Sequence, residues 1–378
     1  MPDMIREVLF SPPDATVYLP SVIVDTHCHG RDMDQAHKTT IAQTLREARR
    51  GLITTSFFMP NTDPPITDLE TLGRYIGIID SAKQKLGIRQ EQYVYFGATD
   101  DNLTECREAL ENPVVIGVKV YPKSRLGKTV TTGTIGVAGD LTTLELLKFS
   151  ARSGKPIAFH CDDPEIIAEE GNTIRAEAAY VKKILTMAQG FLGIKIVICH
   201  VSCVESAELI LKAQKAGINV ALELCPHYLW FDSDGTNWNP ALDPVFYHCY
   251  NNLRPKKHRE YLVGLLKTDN PLIFIGSDNA PHTREEKLEK RFGGLPSNQE
   301  MVPAILTLAK RQRISNHRTI ELLLLNASRF FGIPVSGTLK EYKLVKKVCQ
   351  SIYGVYGGGK VENPWRGLEL CYPEPIGE

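Results

Sequence analysis

Eight short apolar, β-branched segments recur along the chain, and stretches of helical periodicity separate each from the next. The first lies in residues 22–31, and the others are 51–59, 93–98, 114–121, 156–160, 194–200, 219–224 and 272–278. Helical stretches cover about 38–50, 67–85, 102–111, 141–153, 164–190, 204–215 and 257–267, and two more, at about 298–312 and 317–331, close the series. Strands that are apolar throughout are buried on both faces, which is the mark of parallel βαβ units. Eight such units in 378 residues give the count of a (β/α)8 TIM barrel, an α/β fold. An open doubly wound sheet would call for a glycine-rich phosphate fingerprint after the first strand, and none is present. The expected organisation is a Pro-rich, irregular extension over 1–21, a barrel over 22–335, and a C-terminal extension over 336–378 packed outside it in short extended pieces.

In a barrel all C-terminal strand ends open on one mouth, so the polar residues that end these segments meet there. The first segment ends in His27-Cys28-His29, followed by Arg31. Residues i and i+2 of a strand share a face, so two imidazoles aim at one point while Cys28 faces away. Neutral imidazole is a common ligand for zinc and similar ions. Alone, the pair is equally consistent with a solvated strand end. The other strands add Lys119, His160, His200 and Asp278, and four histidines, an aspartate and a lysine at one edge of five strands point to a metal centre. Lys119 lies in an apolar strand, where an unpaired ammonium is costly. It is either a snorkelling surface lysine or an amine converted by carbon dioxide to an anionic carbamate that can bridge two metals. Residues 122–140 form a long Gly-, Thr- and Lys-rich loop, a length that in a compact domain usually serves function.

Composition narrows the remaining classes. Lys+Arg and Asp+Glu both number 44, so no net basic field attracts nucleic acid or anionic lipid. No apolar run approaches the roughly 20 residues needed to span a bilayer, and no secretory leader is evident. Nine cysteines without a Cys-X-X-Cys pair suit a reducing compartment. A cytoplasmic protein acting on a small molecule, away from membranes, is expected.

The pattern Asp25-Thr26-His27-Cys28-His29-Gly30-Arg31 resembles the signature of the amidohydrolase superfamily, and within it the dihydroorotases. Five further segments carry the same resemblance in the same order: 59–62 (Met-Pro-Asn-Thr), 118–122 (Val-Lys-Val-Tyr-Pro), 159–163 (Phe-His-Cys-Asp-Asp), 199–202 (Cys-His-Val-Ser) and 276–282 (Gly-Ser-Asp-Asn-Ala-Pro-His). The resemblance implies two zinc ions per subunit. His27, His29 and Asp278 would hold the more buried ion, His160 and His200 the second, and Lys119, carboxylated on Nζ, would bridge them together with a hydroxide. Two dications set against Asp278, a carbamate and a hydroxide leave a cationic centre, which suits an anionic substrate.

It also implies the reaction. The hydroxide would attack the ring amide of (S)-dihydroorotate to give N-carbamoyl-L-aspartate, reversibly, as in pyrimidine biosynthesis, with Asp278 as general acid and base. Arg31, Asn61 and His282 would receive the substrate carboxylate, with Asn251 and Arg254 as further contacts. Thr129, Thr131 and Thr132 would sit in a lid over 123–134. His227, on the segment after strand seven, would lie behind the ligands. A homodimer is usual for the family. Two other readings remain: a hydantoinase or allantoinase with the same metals, which usually carries a β-sandwich built from both termini, and a catalytically silent assembly partner, which would be expected to lose ligands that are all present here.

Overall fold

The eight segments form one sheet of parallel strands in sequence order. The computed structural model describes residues 11–131, 135–334, 337–354 and 359–376. An edge strand β1 (Thr16–Pro20) precedes the barrel strands β2 (Val24–Cys28), β3 (Thr55–Phe58), β4 (Tyr93–Gly97), β5 (Val115–Val120), β6 (Ile157–Phe159), β7 (Ile196–Ile198), β8 (Val220–Leu224) and β9 (Ile273–Ile275). A parallel bridge between Cys28 and Asn279, with the His29 amide 2.9 Å from the Asn279 carbonyl, joins the last strand to the first. The expected TIM barrel is the observed fold.

Alternation along the strands sorts their side chains. Val24, Phe57, Tyr95, Ala158, Val197, Ala221 and Phe274 point inward and form one buried cluster, and Leu324, Ala327, Phe330 and Phe331 stopper its lower end. The opposite faces (Phe58, Phe96, Val118, Val120, Leu222) pack under the helical layer. Continuing the inward series by two residues places His160 just past β6 and Glu223 on β8 one layer higher, at the mouth, and Lys119 on β5 is in register with the inward Ala158. On β2 the same alternation from Val24 would turn His27 outward. Its register with β3 shifts between Asp25 and Cys28, which brings His27 and His29 inward and leaves Cys28 in the outer core cluster.

Two segments differ from the sequence expectation. The long helix over 164–190 is two helices, Pro164–Glu170 and Ile174–Ala188. Gly171, at φ 77°, ends the first, and the Thr173 hydroxyl, accepting from the Ala176 amide, starts the second. The terminal segments are also more regular than their composition suggests. β1 pairs antiparallel with β10 (Leu339–Val348), which pairs with β11 (Glu369–Pro375). Val17, Leu19 and Leu370 are buried by that sheet. Both termini do build a common sheet, so the shortness of the N-terminal stretch does not by itself separate this chain from hydantoinases.

Candidate active site

The sequence-selected residues meet at the mouth. Asp278 Oδ1 lies 3.3 Å from His27 Nε2 and 3.2 Å from His29 Nε2, and the ligand atoms of these three residues fall within 4.8 Å of one another. Beside them His160 Nδ1 faces His200 Nε2 at 3.0 Å, and the His27 and His200 rings are 5.3 Å apart. Lys119 is wholly buried, with Nζ 2.9 Å from Cys199 Sγ and 5.1 Å from the centre of the Tyr121 ring. It acts electrostatically on both His27 and His200, and so lies close to both halves of the cluster. Among the described residues no carboxylate lies within ion-pair distance of it.

Three of the four rings are fixed from behind. The remaining nitrogen of His27 lies 2.8 Å from Glu223 Oε1, that of His29 2.8 Å from Asn61 Oδ1, and that of His160 3.0 Å from Asp162 Oδ2. Each acceptor takes an N–H and leaves a lone pair on the nitrogen that faces the site. Converging imidazoles with one carboxylate are a donor set suited to zinc. The residues present therefore fit the metals that the sequence implies.

The backbone is strained at three residues of the site. Arg31, His200 and Asp278 sit at φ 54°, 40° and 44°, the left-handed region that side chains other than glycine rarely adopt. Charge is arranged to match. Burial opposes ionisation of Asp278, but the nearby histidines, His27 foremost, hold its carboxyl well below the usual range. Burial likewise disfavours a charged His27, yet the Glu223 and Asp278 carboxylates outweigh it and push this imidazole up to about 10. The proton drawn onto His27 marks a position built for positive charge, which a metal ion would take over.

The mouth narrows to a small cavity lined by the ligand histidines, Arg31, Asn61, Tyr121, Thr131, Tyr250, Gly293 and Gly294. Arg31 is buried and its Nη2 lies 3.1 Å from His282 Nε2, while its Nε has no partner among the described residues. His282 Nδ1 lies 3.4 Å from Glu286 Oε2. Burial, and then Arg31, hold His282 well below its usual pKa, so it stays neutral. Thr131 Oγ1 also lacks a partner among the described residues; Thr132 and the end of the 123–134 loop lie outside them.

Asn251 is placed behind this layer. Its Nδ2 donates to the Cys161 carbonyl (2.9 Å) and to Asp162 Oδ1 (3.1 Å), while the preceding Tyr250 lines the cavity. Arg254 binds Ser202 Oγ, the Asn172 carbonyl and Glu177. His227 is fully buried 3.8 Å from Asp278 Oδ2. Sequence reasoning missed Glu223, Asp162, Tyr250 and the Gly293-Gly294 pair. The glycines carried the clearest signal: a Cβ on Gly293 would stand 2.7 Å from the Tyr250 ring, and one on Gly294 would stand 2.4 Å from the Ala280 carbonyl oxygen.

Comparison with known proteins identifies the family. Residues 17–348 match the Amidohydrolase family. A dihydroorotase of Thermococcus kodakarensis is 31% identical over 318 residues, covering 84% of this chain and 69% of that protein. A dihydroorotase of Lactiplantibacillus plantarum is 31% identical over 342 residues, covering 84% and 73%. Among solved structures, a dihydroorotase from Saccharomyces cerevisiae in complex with 5-fluoroorotic acid superposes with a TM-score of 0.80 at 21% identity, covering 96% of this chain and 100% of that one. An L-hydantoinase (dihydropyrimidinase) from Arthrobacter aurescens gives 0.78 at 22% identity, covering 95% and 83%. At these identities the structural matches speak for the fold alone. The chain belongs to the amidohydrolase family. Within that family its sequence relatives include the dihydroorotases, and it is a cyclic amide hydrolase.

Proposed function

We propose that the protein is a dihydroorotase, interconverting (S)-dihydroorotate and N-carbamoyl-L-aspartate. The observation that carries this reading is Arg31: a buried guanidinium with a free N–H, set beside the metal-type cluster where a substrate carboxylate would lie. A planar fork of donors matches a carboxylate better than a neutral ring. His282 is neutral, so Arg31 supplies the charge there and Asn61 and Thr131 supply neutral polar contacts. The dihydroorotase relatives support the same substrate class.

His27, His29 and Asp278 would hold one zinc ion, His160 and His200 a second, and Lys119 would serve both. When bound, the metals supply an activated water and polarise the amide carbonyl. Asp278 is ionised at rest, accepts the proton of the attacking water, and delivers it to the ring nitrogen as the C–N bond breaks. Arg31 anchors the substrate carboxylate and thereby orients the ring amide toward Asp278. Lys119 would react through its amine with carbon dioxide, forming an N–C bond and releasing a proton, so that a buried group with no carboxylate in ion-pair distance among the described residues becomes an anion between histidines.

The deciding experiment compares dihydroorotate, hydantoin and allantoin as substrates of the purified, zinc-loaded protein. Turnover of dihydroorotate well above the other two is expected. Preference for hydantoin or allantoin would replace this assignment, and no turnover of any of the three would revive the reading as an assembly partner.

A further inference from the structure

Glu223 is wholly buried near the end of β8, and its carboxylate is shared by three groups. Oε1 accepts from His27 Nδ1 at 2.8 Å and from the His200 backbone amide at 3.2 Å, and Oε2 accepts from the Thr26 hydroxyl at 2.8 Å. Thr26 and His27 belong to β2, and in the sheet β9 separates β2 from β8. The side chain of Glu223 therefore crosses β9, and it does so over Gly276. A Cβ on Gly276 would stand 2.8 Å from His27 Cβ, 2.9 Å from Glu223 Cδ and 2.9 Å from Thr26 Oγ1. A missing side chain on one strand makes room for a carboxylate to reach from its neighbour to the strand beyond.

We infer that Glu223 is a positioning residue that presets both metal subsites at once. It takes the Nδ1–H of His27, which turns the lone pair of Nε2 toward Asp278 and His29. Through the same oxygen it holds the amide of His200, whose φ of 40° is a strained conformation that needs a fixed partner. A charge-assisted bond to that amide supplies one. His200 is the residue whose own ring lacks support, since its Nδ1 has no partner among the described residues. His27 serves one subsite and His200 the other, so a single carboxylate couples the two. The inference rests on the two-metal reading of this site.

The test is chelator competition for zinc, with wild-type protein, Glu223→Gln and Glu223→Ala, alongside thermal unfolding of each metal-free protein. Gln keeps the shape and an acceptor oxygen but loses the charge, and it is the variant chosen to fold. The expected result is zinc affinity lowered about tenfold in Gln and about a hundredfold in Ala, at both sites together, with Gln melting close to wild type. Saturating zinc should restore a larger share of kcat to Gln than to Ala. Wild-type affinity at both sites in either variant overturns the inference, as does weakening at one site only. Wild-type protein that takes up no zinc overturns the two-metal reading itself, which separates that failure from this one.

Discussion

Two sets of buried carboxylates in this molecule behave in opposite ways. At the mouth, burial works against ionisation of Asp278 and Glu223, yet adjacent imidazoles outweigh it and hold both below the usual carboxylate range. Where the C-terminal segment packs on the barrel, Glu47 and Glu300 are as deeply buried, but their partners are neutral. Glu47 accepts from Gln43 Nε2 (2.9 Å) and the Gly354 amide (3.3 Å). Glu300 accepts from the Tyr353 hydroxyl, Asn363 Nδ2 and Cys349 Sγ. Burial outweighs these hydrogen bonds, pushes Glu47 up to about 7 and raises Glu300 as well. The same functional group is an anion in one place and on the way to a neutral acid in the other, and only the first is fitted to hold cations.

Neutralising a carboxylate should therefore cost function at the mouth and little elsewhere. The largest effect is expected for Asp278→Asn, which removes both a ligand and the proton carrier. Its kcat should fall about a thousandfold or more, with the circular dichroism of a folded protein. Substantial turnover in that variant would remove Asp278 from the chemistry. Lys119→Met tests the same face from the cationic side. It replaces a buried amine that has no carboxylate in ion-pair distance among the described residues by an apolar chain of similar length, so stability should hold or rise while activity drops about a hundredfold or more. Near-normal activity would sink the carbamate.

Arg31→Ala should act on binding instead. Loss of a charge-assisted carboxylate contact costs about 2–3 kcal/mol, read mainly as a KM for dihydroorotate raised roughly 30- to 150-fold, with a smaller loss in kcat from poorer orientation and zinc content unchanged. A variant that lost zinc but kept its affinity for dihydroorotate would move Arg31 from the substrate to the metal side of the site.

The contrast also marks what the sequence could show. His27, His29, Lys119, His160, His200 and Asp278 were legible because each ends an apolar strand, and strand period and barrel topology force such residues to one edge. Glu223 was not, because it sits inside β8 and matters only through an acceptor geometry that crosses another strand. Asp162 and Asn251 were obscure for a related reason. Asp162 reads as ordinary loop chemistry after β6, and the bonds of the Asn251 amide to Cys161 and Asp162 join residues far apart in the sequence. The terminal sheet was hidden by composition: β10 is rich in lysine and largely exposed, so it shows no apolar run. Its partners lie at the other end of the chain or beyond a loop, which local pattern does not reach.

The smallest effect, and the sharpest check on the other half of the comparison, is the pH dependence of stability at Glu47. Its carboxyl sits at about 7 in the folded protein against about 4.5 when free. The folded state therefore binds the proton more tightly, and stability attributable to this group is full below about pH 4.5 and declines as pH rises toward 7. The decline amounts to at most about 3 kcal/mol. Glu47→Gln cannot lose that proton, so urea unfolding of metal-free protein should show a smaller drop between pH 5 and pH 8 than wild type does. Glu300 repels the Glu47 carboxylate and titrates together with it, so both proteins are compared in a Glu300→Gln background. The new amide also leaves a donor where Glu47 Oε2 has no partner among the described residues, which lowers stability by a similar amount at both pH values and does not alter the slope. Equal drops in the two proteins would mean that Glu47 is already charged at pH 5, and the distinction between carboxylates that face imidazoles and those that face neutral groups would fail at this position.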